Sequence, residues 1–271
     1  MHQLIIVLLL VFVVSCSEEL PAENTNVPDS KTDTTSVDSS SQTLVDTTAS
    51  TPIIEDTIFI KRELTEKVYH AIYIEKDSAN KRFQWLTDFT FDEFDSSALK
   101  GNREHMREKL PDRFGRVDLH GLPNDWLPLY LYKNDYYLYA PSDWGNAGKR
   151  IVTDSSLIYW YMDGPYAMPF QSSKKVSDRK YVFTFNNPWD DDNHLNQLII
   201  TIIDPVTKMS VWEFSDEKRL HRYRIYVPKS SAHHFDLIVN YCNNMKQLEY
   251  DFEEVDYEAF LKPFKGKTND K

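Results

Sequence analysis

All but one of the 37 aromatic residues fall between Ile58 and Phe264, and the exception, Phe12, sits in an apolar run at the start of the chain. Only about 210 residues therefore carry enough large apolar surface to build a core. Within them no glycine occurs from Pro165 through Lys265, so turns there must be made by Asn, Asp and Pro. Apolar residues mostly alternate, which is the strand period. Alternating runs cover 68–74, 82–91, 129–133, 136–140, 157–162, 181–186, 198–203, 210–214, 222–227 and 247–252. The last two are the clearest. Tyr223, Ile225 and Val227 alternate with Arg222 and Arg224, and Leu248, Tyr250 and Phe252 with Gln247, Glu249 and Asp251. Each should place one face in a core and one in water.

Residues 198–203, apolar on both faces, belong in the middle of a sheet. Asp77-Ser78-Ala79-Asn80 reads as the turn of a first hairpin and Asp204-Pro205-Val206-Thr207 as that of another. Two helices are expected, one over 97–110 and one over 231–245. In the second, Ser231 can cap and Phe235, Ile238, Val239, Cys242 and Met245 share a face. The fold class is mainly β (α+β), an antiparallel meander with about two helices. It closes into a barrel or remains a strongly twisted sheet or sandwich. With Gly121 and Trp126 near the start of the strand series, the order of elements resembles a lipocalin-like barrel, which implies a closed up-and-down meander.

Residues 125–144, DWLPLYLYKNDYYLYAPSDW, carry the most chemistry. With Asn134-Asp135 as a two-residue turn, Tyr132 would pair with Tyr137 and Tyr130 with Tyr139. Leu129, Leu131, Leu138 and Ala140 then share one face, and Tyr130, Tyr132, Tyr137 and Tyr139 the other. The aliphatic face suits a core. A four-tyrosine face could bind a sugar ring or another flat amphipathic ligand, stabilise the ribbon by cross-strand pairing, or line a barrel. Trp126, Trp144, Trp160 and Tyr166 could extend a binding patch.

Ahead of the domain, residues 2–15 are almost entirely apolar, too short to span a bilayer but suited to a signal peptide. The run ends in Val13-Val14-Ser15-Cys16, which resembles the bacterial lipobox. That resemblance implies a signal peptide over 1–15 and lipidation of Cys16. Ser17-Glu18-Glu19, just after it, is similar to the surface-export signal of Bacteroidota lipoproteins. It implies an outer-membrane anchor, with the cell surface favoured over the periplasmic face.

Residues 16–55 read as a disordered acidic tether. Fifteen of the 36 residues from Ser17 to Pro52 are Ser or Thr, and 17–55 hold eight acids against Lys31 alone. Of the formal charge of −11, that segment carries −7, so residues 56–271 carry only −4. Thr34, Thr47, Thr57 and Ser78 stand in Asp-Ser/Thr contexts similar to the Bacteroidota O-glycosylation sequon. A single β-rich domain follows over 56–265, with a disordered tail over 266–271.

An acidic chain is a poor ligand for nucleic acid. No Gly-rich phosphate loop occurs, and two cysteines exclude a disulfide scaffold. Trp189-Asp190-Asp191-Asp192-Asn193-His194 reads as a solvated acidic loop, since its acids lack the spacing of a calcium loop. No catalytic set, metal site or cofactor is assigned, and a non-enzymatic role is favoured. The leading expectation is a lipid-anchored envelope lipoprotein binding a glycan, lipid or envelope protein. The alternatives are a glycan- or peptide-acting hydrolase and a structural component of an envelope complex.

Overall fold

The computed structural model describes residues 57–65, 68–109, 115–143, 145, 147–186, 195–215, 222–243 and 246–264. They belong to a compact unit, Thr51–Lys271. The expected signal peptide and tether, with Cys16, Thr34 and Thr47, lie outside the described residues, as do Trp144 and the acidic run 189–194.

Eight strands form a closed antiparallel barrel: β3 (Asp125–Tyr132), β5 (Arg150–Val152), β6 (Ser156–Tyr161), β7 (Gly164–Ser177), β8 (Lys180–Asn186), β9 (Leu195–Ile202), β10 (Ser210–Phe214) and β11 (Tyr223–Pro228). Each pairs with the next, and β11 returns to β3 with Ile225 opposite Leu129 and Pro228 opposite Trp126. This is the up-and-down order of a lipocalin-like barrel. Closure removes the edges that an open sheet would expose.

The interior is filled rather than hollow. Trp126, Phe170, Phe183, Phe185, Trp212 and Tyr226 point inward and are all but inaccessible. Trp126 meets Trp212 edge-on at 5.3 Å, and Trp212 lies 4.4 Å from Tyr226. Rings of this size fill the width of an eight-stranded barrel. One end is stoppered by the segment before β3, whose Val117, Leu119 and Leu122 pack on this core. Trp126 Nε1 donates to Pro123 O at 2.7 Å, and Val152 N to Asn124 O at 2.8 Å. The segment turns at His120 and Gly121, both with positive φ.

β3 has more pairing edge than the three-residue β5 can use. Asp125 and Trp126 pair with Ile151 and Arg150, while Tyr130–Tyr132 pair with β4 (Asp135–Ala140). β4 then runs parallel to β12 (Leu237–Cys242), which pairs with β2 (Tyr69–Glu75) and through it β1 (Ile58–Leu64). This side sheet packs one face on the outer barrel wall. Leu138, Leu237 and Val239 there meet Leu127, Leu129, Ile225 and Val227. α1 (Lys81–Thr87) adds Phe83 and Leu86, and α3 (Tyr257–Leu261) adds Leu261. α2 (Glu93–Lys109) covers β5–β7 through Leu99, Ile151, Ile158 and Ala167.

Five expectations are corrected. Residues 82–91 are not a strand: α1 begins there, with Asn80 accepting from Arg82 N at 2.8 Å and Phe83 and Leu86 on one helical face. Asp77–Asn80 therefore leads into a helix, not a hairpin. Residues 231–245 are not a helix but a 3₁₀ turn (Lys229–His234) followed by β12. Leu237, Ile238, Val239 and Asn240 are buried in succession, and a strand covered on both faces imitates helical spacing over a short run. Residues 247–252 form no strand: they lie over the tyrosine face, where Tyr250 N donates to the Tyr139 hydroxyl and Gln247 N to the Ser142 hydroxyl. Leu248 is 92% exposed, and the segment's one bridge joins Glu253 to Leu131. In β11 both faces are buried, Ile225 and Val227 outward and Tyr226 inward, so the expected water face does not exist.

Candidate functional site

The hairpin β3–β4 turns at Lys133-Asn134, whose φ of 51° and 67° put both in the left-handed region a type I′ turn requires. The turn sits one residue earlier than Asn134-Asp135, and Tyr130 pairs with Tyr137. The register moves by two positions, so the faces are preserved. Tyr130, Tyr132, Tyr137 and Tyr139 still share a face, and Leu129, Leu138 and Ala140 join the core on the opposite one.

That tyrosine face continues the inner surface of the barrel beyond the point where β5 ends, and the segment 246–253 lies over it. Phe252 sits 4.6 Å from Tyr130 and 4.9 Å from Tyr139, and Tyr250 6.0 Å from Tyr132. Polar bonds fix the cover. The Tyr139 hydroxyl donates to Glu249 at 2.7 Å and accepts from Asn240 Nδ2 and Tyr250 N, both at 3.0 Å. Glu249 also accepts from the backbone N–H groups of Ser142 and Asp143. Asn240 Oδ1 lies 2.8 Å from His70 Nε2, which extends the buried polar chain to β2. Burial drives the Tyr139 pKa far up, and the Glu249 bond adds to the rise.

Between this cover and the ring-filled interior lies a cavity of about 310 Å³, the barrel mouth. Pro128, Tyr130 and Tyr139 form one wall, Arg150 and Tyr161 another, and Arg224 and Tyr226 the third. Arg150 opens β5 opposite Trp126 and so points inward. Its guanidinium stacks on Tyr159 at 4.2 Å and donates from Nη1 to Lys149 O at 2.8 Å. Its buried Nε has no hydrogen-bond partner among the described residues. Arg224 stands opposite Trp212 in register, and its guanidinium makes no hydrogen bond or ion pair with a described residue. Burial pushes the Tyr130 pKa up to about 12, against the pull of the Arg224 charge. Among the described lining residues Glu249 is the one carboxylate, and its oxygens already accept four hydrogen bonds, from Tyr139, Asn240 and the backbone of Ser142 and Asp143. The mouth thus combines aromatic faces with two cations whose donors are not fully used, an arrangement suited to an anionic group carried on a flat or apolar body.

Outside the barrel wall, Lys149 is 8% exposed. Its Nζ donates to Asp88 O at 2.5 Å and Trp85 O at 3.2 Å, and lies 5.0–5.4 Å from the Trp85, Phe89 and Trp160 ring centres. Desolvation lowers its pKa to about 8. Asp95 accepts from Trp160 Nε1 at 3.1 Å and is raised chiefly by burial. These groups floor a groove of about 380 Å³ between α1, α2 and β6.

Of the residues singled out from sequence, Tyr130, Tyr139 and Trp160 line the mouth. Tyr132 and Tyr137 pack against one another on the same tyrosine face. Tyr166 lines a neighbouring cavity of about 640 Å³, and Trp126 is wholly enclosed in the barrel. Thr57 and Ser78 are described, Ser78 in an exposed turn. Sequence reasoning passed over Arg150, Arg224, Glu249 and Lys149. The usable signal for Arg224 was Tyr226, an aromatic of the same parity, which marks that face as inward. Comparisons with protein-family models, curated proteins and solved structures return no match to this chain.

Proposed function

We propose that this chain is an envelope lipoprotein, anchored in the outer membrane through Cys16 and favoured at the cell surface, whose barrel binds a small anionic ligand at its mouth. The observation that carries the binding role is the pair Arg150 and Arg224 facing one tyrosine-lined cavity, with no hydrogen bond or ion pair from the Arg224 guanidinium to any described residue. A part-buried cation with no partner among the described residues is costly, and a ligand anion would offset that cost. The apolar run and lipobox-like tetrapeptide support the anchor, and the acidic 17–55 segment supports a tether that holds the barrel off the membrane.

Titration of the 51–271 fragment with phenyl phosphate, a uronic acid and their neutral counterparts, followed by tryptophan emission, tests the site. All four buried clusters lie inside that fragment. The anions should bind, and Arg224→Gln should weaken them about 10-fold or more, the loss expected for a charge-assisted hydrogen bond. Equal affinity for charged and neutral members, or indifference to Arg224→Gln, would remove the mouth as an anion site.

A further inference from the structure

Three cavities meet around one turn. The mouth shares Gly145 and Tyr161 with the cavity of about 640 Å³ beside it, and shares Trp160 with the groove over Lys149. Met162 lines both outer cavities and so joins them. Gly145 packs directly against this turn: a Cβ there would lie 2.3 Å from Met162 Cγ and would push the Met162 side chain aside. The surface along this path is apolar and exposed. Phe94 is 62% exposed, Met162 48%, Tyr161 46% and Trp85 36%. Large rings and a thioether gathered on one exposed path mark a surface that functions covered.

The two ends of the path differ in charge. At the mouth stand Arg150 and Arg224, with Glu249 engaged by Tyr139 and two backbone N–H groups. At the far end stand Asp92 and Asp95, with the Lys149 ammonium held by two carbonyls. An anion is therefore favoured at the mouth and disfavoured in the outer groove. An apolar group attached to it cannot go deeper into the barrel, because Tyr226 floors the mouth and Trp212 packs beneath it. Nor can it go under the Tyr250 and Phe252 cover, where the rings already touch the tyrosine face. Among the described residues, the apolar surface left beside the mouth lies across Tyr161 and Met162.

Resting on the mouth reading above, we infer that the ligand is a single-chain alkyl phosphate: its phosphate lies between Arg150 and Arg224, and its hydrocarbon arm crosses the Tyr161–Met162 turn into the groove beside Phe94 and Trp85. Two guanidiniums match a phosphate monoester, which carries close to two negative charges at neutral pH, better than they match a carboxylate. The arm buries apolar surface that the fold leaves exposed.

The test is a chain-length series of n-alkyl phosphates, from methyl to decyl, each kept below its micellar concentration and titrated into the 51–271 fragment. Affinity should rise about three- to fourfold for each methylene buried and level off once the groove is full. Phe94→Ser combined with Met162→Ser should flatten that rise, and Arg224→Gln should lower every member by a similar factor. Methyl phosphate binding that depends on Arg224 but does not improve with chain length would overturn the arm while leaving the anion site standing. Failure of every member to bind, methyl phosphate included, would overturn both. Octanoate binding as tightly as octyl phosphate would overturn the phosphate assignment.

Discussion

Replacement of Lys149 by methionine should change how stability depends on pH. Lys149 is buried with its ammonium facing three rings and two carbonyls, and its pKa falls to about 8 from an ordinary 10.5. Between those two values the unfolded chain holds a proton that the folded chain has released. The unfolded state binds more protons, so stability rises with pH across this window and is lowest below it. With these pKa values the gain between pH 7 and pH 9.5 is roughly 2 kcal/mol, towards a limit of about 3.4 kcal/mol. Above pH 10 the tyrosines act in the opposite sense. Tyr130 and Tyr257 are pushed to about 12 by burial, so the unfolded chain loses their protons first and stability declines. The useful range therefore ends near pH 9.5.

Urea unfolding of the 51–271 fragment, read by tryptophan emission at several pH values in that range, provides the curve. The parent should gain roughly 2 kcal/mol, and Lys149→Met should lose most of that slope. The absolute stability of the variant is a poorer guide, because it also reflects the lost hydrogen bonds to Trp85 O and Asp88 O. The difference in slope cancels every other titrating group. Parallel curves for parent and variant would mean that Lys149 stays fully protonated in the fold, held by its carbonyls and rings, and would refute the desolvation argument.

Three further outcomes are expected. Gly164→Ala should cost about 1–3 kcal/mol in unfolding free energy, since φ is +98° and the new Cβ would lie 2.7 Å from Ala98 Cβ on α2. Tyr139→Phe should cost about 1–3 kcal/mol by removing the donor to Glu249 and the acceptor for Asn240 and Tyr250, and limited proteolysis should then cut within 246–253 sooner. Cys16→Ala should abolish incorporation of labelled palmitate in the producing cell, and undiminished labelling would exclude the anchor.

The legible and illegible parts of this fold separate on physical grounds. Strands with one dominant partner on each side could be read from alternation: β6, β8, β9 and β10 lie close to where the sequence places them. Faces were more robust than register, since a shift of two residues in the hairpin left every tyrosine on its side. Reading failed where a segment is buried from two directions. In β11 and β12 both parities meet a core, so alternation no longer reports which side faces water. Failure also came where tertiary supply decides the state. Residues 247–252 have good strand alternation, but they lie across the tyrosine face, and the Gln247 and Tyr250 N–H groups donate to side-chain hydroxyls of Ser142 and Tyr139 instead of a strand. Arg224 shares the difficulty of β11: Tyr226, of its parity, points inward, but Tyr223, Ile225 and Val227 on the other parity are just as apolar, so alternation alone favours the wrong face.

The branch at β3 explains why the candidate site lies where it does. A regular eight-stranded barrel of this diameter, filled by Trp126, Trp212 and the phenylalanines, leaves no internal surface to bind anything. β5 is only three residues long and releases β3 after Trp126, so the inner face from Tyr130 onward has no opposite wall. Aromatic rings without a wall must be covered, and 246–253 covers those furthest along the side sheet. What lies between that cover and the last closed ring of the barrel is the mouth. Arg150 and Arg224 flank it from β5 and β11, strands on opposite sides of β3. The short β5 thus opens the cavity and supplies one of its two cations. Binding at this place follows from the unequal lengths of two paired strands, the same inequality that makes the sheet branch.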